Sequence, residues 1–159
     1  MKAYCPALLS GKYLPQRCAQ PSVPGGQNVS PPLAWGEVPP GTKSFAFTMI
    51  DTHLSAGGRA HWLVINIAEM AREVRENASG VRDAMPPGAL ELRNDAGRIG
   101  YSGPSPERGS GPHEYMFTVY ALGIEELELG PFSTIDELKS EIQRNGLDCA
   151  SVVGALQSD

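Results

Sequence analysis

Apolar and polar positions alternate most clearly in residues 44–51 and 62–67, two runs separated by a polar insert carrying His53, Arg59 and His61. In the first run Phe45, Phe47 and Met49 fall on one face and Ala46, Thr48 and Ile50 on the other, the pattern of a strand covered on both sides. That run ends on Asp51. The second run is apolar on both faces as well and reads as a central strand rather than an edge. Two adjacent strands joined by the insert would bring Asp51 and His61 to the same rim of one sheet. A third strand is predicted over residues 113–122, where His113, Tyr115, Phe117, Val119 and Ala121 share a face.

One helix is predicted, over residues 133–145. Thr134 and Glu137 have capping-box spacing, Ile135, Leu138 and Ile142 form the apolar stripe, and Gly146 can end it. Residues 150–156 fit a strand or a second helix, with Ser, Val and Gly leaning to strand. Residues 1–40 read as turns pinned by prolines, with Leu33 and Trp35 in a loop packed on the core and Asn28 or Ser30 capping turns. Residues 68–80 fit a short surface helix, with Met70 and Val74 four apart, or a loop. Residues 85–113 form a long Gly/Pro-punctuated stretch with one short strand at 89–92, a length that is usually functional or packed as its own unit.

The 159 residues predict one domain, residues 1–159. Its 18 Gly and 14 Pro stand well above the usual ~12% for the pair, favouring turns and short strands over long helices, so the fold class is mainly β. Net charge is −5, with 9 acids and 2 bases in residues 114–159 against 9 acids and 11 bases before them. This argues against a nucleic-acid surface and places any anion site in the first two thirds, where Arg59, Arg98 and Arg108 accompany all three histidines. The first residues lack a signal-peptide pattern and no run reaches membrane-spanning length, so a cytoplasmic location with no integral membrane segment is expected. Cys5, Cys18 and Cys149 are odd in number and have no CxxC pair, so reduced thiols are expected rather than disulfides or structural zinc.

Asp51, His53, His61, His113 and Tyr115 concentrate at strand ends and in the insert. A carboxylate beside imidazoles can do acid/base chemistry, bind a metal, or hold an anion through ring N–H groups. A hydrolytic reading would have Asp51 orient His61 as general base, but no Ser or Cys lies in a GxSxG-type motif. A metal reading would use Asp51, His53, His61 and His113. Residue types alone leave these three open.

The runs GGQNVSPPLAW, GTKSFAFTMID, HWLVINI, PPGALELRNDAGRIGYSGPSP and HEYMFTVYAL together resemble bacterial members of the phosphatidylethanolamine-binding protein family, the Raf kinase inhibitor-like proteins. The resemblance implies a two-sheet antiparallel β-sandwich with a C-terminal helix and peripheral short helices. It also implies a non-catalytic pocket for phosphate, phosphorylated head groups or phospho-residues, without a cofactor. A protein kinase or protease partner and a homodimer are implied by the resemblance alone. Asp51 matches the first aspartate of the family's DPDAP motif, His61 the pocket histidine, His113 and Tyr115 the ends of HRY, and Ser105 belongs to the segment matching the pocket loop, residues 104–109. The expected ligand-binding set is therefore Asp51, His53, His61, Ser105, His113 and Tyr115. DPDAP has become DTHLS, with Thr52, His53 and Ser55 in place of proline, aspartate and proline, which should leave the rim less rigid and one negative charge poorer. HRY has become HEY, and Ser105 and Glu107 depart from the usual loop pattern.

Overall fold

The computed structural model describes residues 1–53 and 58–159. The strongly alternating runs become the middle of one sheet: β3 (Ser44–Asp51) pairs antiparallel with β4 (Arg59–Ala68) on one side and β7 (His113–Leu122) on the other. The short β6 (Leu90–Glu91) and the long β8 (Gly146–Leu156) complete a five-stranded sheet in the order β6-β4-β3-β7-β8. A second, three-stranded antiparallel sheet is made by β1 (Lys2–Tyr4), β2 (Leu33–Gly36) and β5 (Glu73–Val74), in the order β1-β2-β5. The architecture is thus mainly β, two antiparallel sheets with, among the described residues, one α-helix, α1 (Ile135–Asn145), near the C-terminal end.

Both faces of the larger sheet are covered, as its two-sided apolar pattern requires. Phe45, Phe47, Met49, Trp62, Phe117 and Val119 face Leu33, Trp35 and Val74 of the smaller sheet. Ala46, Leu63, Ile65 and Leu122 pack with Leu138 of α1 on the opposite face. Each fully buried Phe contributes about 1.5–3 kcal/mol through area removed from water. α1 begins as expected, the Thr134 side chain accepting the Glu137 N–H at 3.1 Å. It ends at Gly146, which is extended rather than left-handed and opens β8 directly. A Cβ at Gly146 would stand 2.6 Å from the Ile142 carbonyl oxygen, so only glycine permits that change of direction.

Several local expectations are corrected. Leu33 and Trp35 are not loop residues but the inward positions of β2, where alternation is too short to stand out in the sequence. Of the two readings of residues 68–80 the loop holds apart from the two-residue β5, and the helix does not: Met70 is exposed and Val74 is buried in β5, so the pair is not a stripe. Peripheral helix among the described residues is limited to a 3-10 turn, Gln16–Cys18. β4 begins three residues before Trp62, and β8 begins at Gly146 rather than at residue 150. Asn28 and Ser30 do not cap local turns; they bridge to distant chain. Asn28 Oδ1 accepts the Gly103 N–H at 2.7 Å, and Ser30 Oγ accepts the Ser79 N–H at 3.1 Å.

Candidate functional site

Along most of β4 the alternation holds, but it breaks at His61. Met49 pairs with Trp62 and Ile50 with Ala60, leaving His61 as the extra residue of a β-bulge. Ala60 belongs to the apolar cluster under α1 and Trp62 to the cluster between the sheets. Without the bulge His61 would turn toward α1; with it the ring lies edge-on to Tyr115, with centroids 5.4 Å apart and planes at 88°. Asp51 lies opposite Tyr115 in the β3–β7 register, and His113 is two residues earlier on the same face of β7. Asp51, His61, His113 and Tyr115 are all buried, and together they line a cavity of about 810 Å³.

The outer wall comes from the long stretch after β6. Asn94 organises it: its amide donates to the Gly100 carbonyl and the Ser102 hydroxyl, both at 2.9 Å, and its Oδ1 accepts the Ala96 N–H. Gly103 packs so tightly that a Cβ would meet the Cys18 carbonyl oxygen at 2.2 Å. That contact and the Asn28 bridge clamp the loop over the pocket. The loop then places Ser102, Ser105, Pro106, Glu107 and Ser110 against the cavity, with Arg59 and Arg98 at its edge. Arg108 does not line it.

The two buried imidazoles are held in different ways. His61 Nδ1 lies 2.7 Å from the Ser102 carbonyl oxygen, which can only accept, so Nδ1 carries the hydrogen and Nε2 has a lone pair. Burial holds the His61 pKa below its ordinary value, outweighing the Ser102 carbonyl and the Asp51 carboxylate, which favour the charged form. His113 Nε2 lies 3.0 Å from Ser110 Oγ, while Ser110 Oγ is 2.7 Å from the Glu107 carbonyl oxygen. That carbonyl needs the hydroxyl hydrogen, so His113 Nε2–H donates to the Ser110 oxygen. His113 Nδ1 is 3.8 Å from Asp51 Oδ2, an electrostatic contact beyond hydrogen-bond length. Burial, and then the nearby Asp51 charge, push the Tyr115 phenol far above its ordinary pKa, so it stays a donor.

His53 stacks on His113, with centroids 4.0 Å apart and planes at 19°, and its backbone N–H donates to Asp51 Oδ1 at 2.8 Å. Ser105 reaches the cavity, and its Oγ lies 3.2 Å from Ser22 Oγ. All six residues of the expected set thus border one cavity. Ser55 lies outside the described residues. Thr52, in place of a rim proline, joins β7 through its N–H and Oγ1, which lie 3.1 and 3.2 Å from the Glu114 carbonyl oxygen. Reading the sequence missed Gln20, Ser102 and Ser110 as lining residues and Asn94 as organiser; for the last three the signal was the length of their loop, and Gln20 left none.

His61 Nδ1 is spent on the Ser102 carbonyl and His113 Nε2 on Ser110 Oγ. Accordingly, among the described residues no three His, Cys, Asp or Glu side chains are grouped to hold a metal ion, which corrects the metal reading of Asp51, His53, His61 and His113.

Residues 6–157 match the phosphatidylethanolamine-binding protein family. The chain belongs to that family. The UPF0098 protein of Aquifex aeolicus is 37% identical over 134 residues, covering 84% of this chain and 77% of that protein. YbhB of Escherichia coli is 43% identical over 105 residues, 65% of this chain and 66% of YbhB, just under two thirds of its length. The crystal structure of Escherichia coli YbcL, described as a new member of the mammalian PEBP family, aligns with a TM-score of 0.89 at 30% identity, covering 99% of this chain and 98% of YbcL. The two-sheet arrangement and the helix near the C-terminal end are therefore those of a phosphatidylethanolamine-binding protein. No helix among the described residues is long and apolar enough to cross a membrane.

Proposed function

We propose that this member of the phosphatidylethanolamine-binding protein family is a non-catalytic binding protein whose pocket takes phosphate, a phosphorylated head group or a phospho-residue. The observation that carries the reading is the convergence of hydrogen-bond donors on one cavity: the Tyr115 hydroxyl and the side chains of Arg59 and Arg98. Neither arginine forms an ion pair among the described residues, so both are available to a ligand. The fixed charges of Arg59 and Arg98 offset those of Asp51 and Glu107, so the donors rather than a net charge favour an anion. A kinase or protease partner would be engaged through a phospho-residue in this pocket, in a cytoplasmic setting.

Calorimetric titration with inorganic phosphate and phosphoethanolamine, on wild type and His53→Asp, tests the reading. Wild type should bind, and the aspartate should weaken binding by restoring a negative charge beside His113. Absence of binding to both ligands would remove the proposal.

A hydrolytic reading gains one observation and loses it on inspection. Ser110, His113 and Asp51 follow one another in the order of nucleophile, base and acid, at 3.0 and 3.8 Å. The Ser110 hydrogen, however, is held by the Glu107 carbonyl, and His113 faces Ser110 as donor rather than base. Nitrophenyl esters should turn over no faster with wild type than with Ser110→Ala.

A further inference from the structure

The anion reading leaves open which anions fit, and the two hydrogen-bond acceptors at the pocket floor bear on that. Anion sites are ordinarily lined with donors alone, because each lone pair turned toward an anion oxygen repels it. Here the floor holds two acceptors. Asp51 is 5% exposed; its Oδ1 accepts the His53 N–H, and among the described residues its Oδ2 accepts no hydrogen bond, His113 Nδ1 standing 3.8 Å away. His61 is 7% exposed, and because the Ser102 carbonyl fixes its hydrogen on Nδ1, Nε2 can only accept. The charged and titratable groups around His61 are Asp51 from β3, Arg59 from β4, Asp95 from the loop after β6, and the Tyr115 phenol from β7. Asp95 is engaged elsewhere, its Oδ2 accepting the Ala60 N–H at 2.7 Å.

Resting on the anion reading above, we infer that the pocket is selective for phosphoryl groups that carry a hydrogen, either the His61 Nε2 lone pair or the Asp51 carboxylate accepting that hydrogen while Tyr115 and the arginines donate to the remaining oxygens. Hydrogen phosphate and the monoanion of a phosphate monoester satisfy both kinds of partner. Sulfate and phosphodiesters have no hydrogen to give and leave a lone pair facing an anion oxygen. His61 is then a specificity-determining residue, and the bulge that turns it inward is the backbone feature responsible. Lipid head groups in diester linkage fall in the rejected class, while free phosphate and phosphomonoesters fall in the accepted one.

Calorimetry at pH 6.5 with four probes separates the alternatives: inorganic phosphate, methyl phosphate, sulfate and dimethyl phosphate. Dimethyl phosphate has one charge and sulfate two, so they bracket the phosphates and charge alone cannot sort the series. The expected result is that both hydrogen-bearing probes bind at least about tenfold more tightly than the other two. The His61→Asn variant retains an N–H for the Ser102 carbonyl but leaves no acceptor at the Nε2 position; its selectivity should collapse to within about threefold. A reading that needs no variant is the ¹⁵N spectrum of the wild-type protein, in which His61 should stay hydrogen-free at Nε2 when phosphate is bound. If all four probes bind with similar affinity, or dimethyl phosphate binds best, or Nε2 is protonated in the phosphate complex, the selectivity is overturned while the anion site stands. If none binds, the proposed function itself fails.

Discussion

The middle and the pocket end of the five-stranded sheet are made from the same strands by opposite rules. In the middle, Phe45, Phe47, Phe117 and Val119 are fully buried, and Phe47 meets Trp62 edge-on at 4.8 Å. The packing there is mostly apolar, and the Trp62 ring N–H is satisfied by Glu91 Oε2 at 2.8 Å. A few residues along, Asp51, His61, His113 and Tyr115 are equally buried but polar, and most are tied to protein through only one side of the ring or carboxylate. The middle is built for stability, whereas the pocket end keeps unspent hydrogen-bonding capacity, which stabilises nothing until a ligand arrives.

The contrast is broken most directly by truncating the middle. Phe47→Ala should lower unfolding free energy by about 3–5 kcal/mol in urea titrations, as for other buried Phe deletions. A loss below about 1 kcal/mol would mean that the core is not where the packing places it. At the other end His113→Ala should weaken phosphate binding by about 1–3 kcal/mol in calorimetry, because Ser110 Oγ loses the N–H that holds it against the cavity. Its effect on folding should be clearly smaller than that of Phe47→Ala, and equal destabilisation would erase the distinction.

Smaller effects sharpen the comparison. Thr134→Ala removes the α1 cap and should cost about 1 kcal/mol of stability with phosphate affinity unchanged, since α1 covers the sheet face away from the pocket. A change in affinity would show that the two faces are coupled. The smallest effect concerns pH. Because burial lowers the His61 pKa in the folded protein, the unfolded chain takes up the proton first as pH falls through about 6.5. Stability in the absence of ligand should therefore fall on acidification across that range. The His61→Asn variant should have a shallower slope in parallel melts from pH 7.5 to 5.5. Identical slopes would mean that His61 is not held neutral by burial.

The central strands and the helix were legible in the sequence because their signals are local. Side chains alternate across a strand and recur every three to four residues on a helix, so β3, most of β4, β7 and α1 could be read from spacing alone. The two-residue separation of His113 and Tyr115 likewise placed both on one face, and Asp51 at the end of its run placed it at a rim. What the chain could not declare is everything that depends on a partner distant in sequence. β2 and β5 are too short to show a period and exist because they close a face over Phe45 and Phe47. Asn28 looks like a turn residue until Gly103 comes within hydrogen-bonding distance. His61 is the clearest case: strict alternation from Trp62 would point it at α1, and only a register slip against Met49 and Ile50 turns it into the pocket. Its tautomer was decided later still, by the Ser102 carbonyl 41 residues away, since an imidazole hydrogen goes to whichever ring nitrogen meets an obligate acceptor.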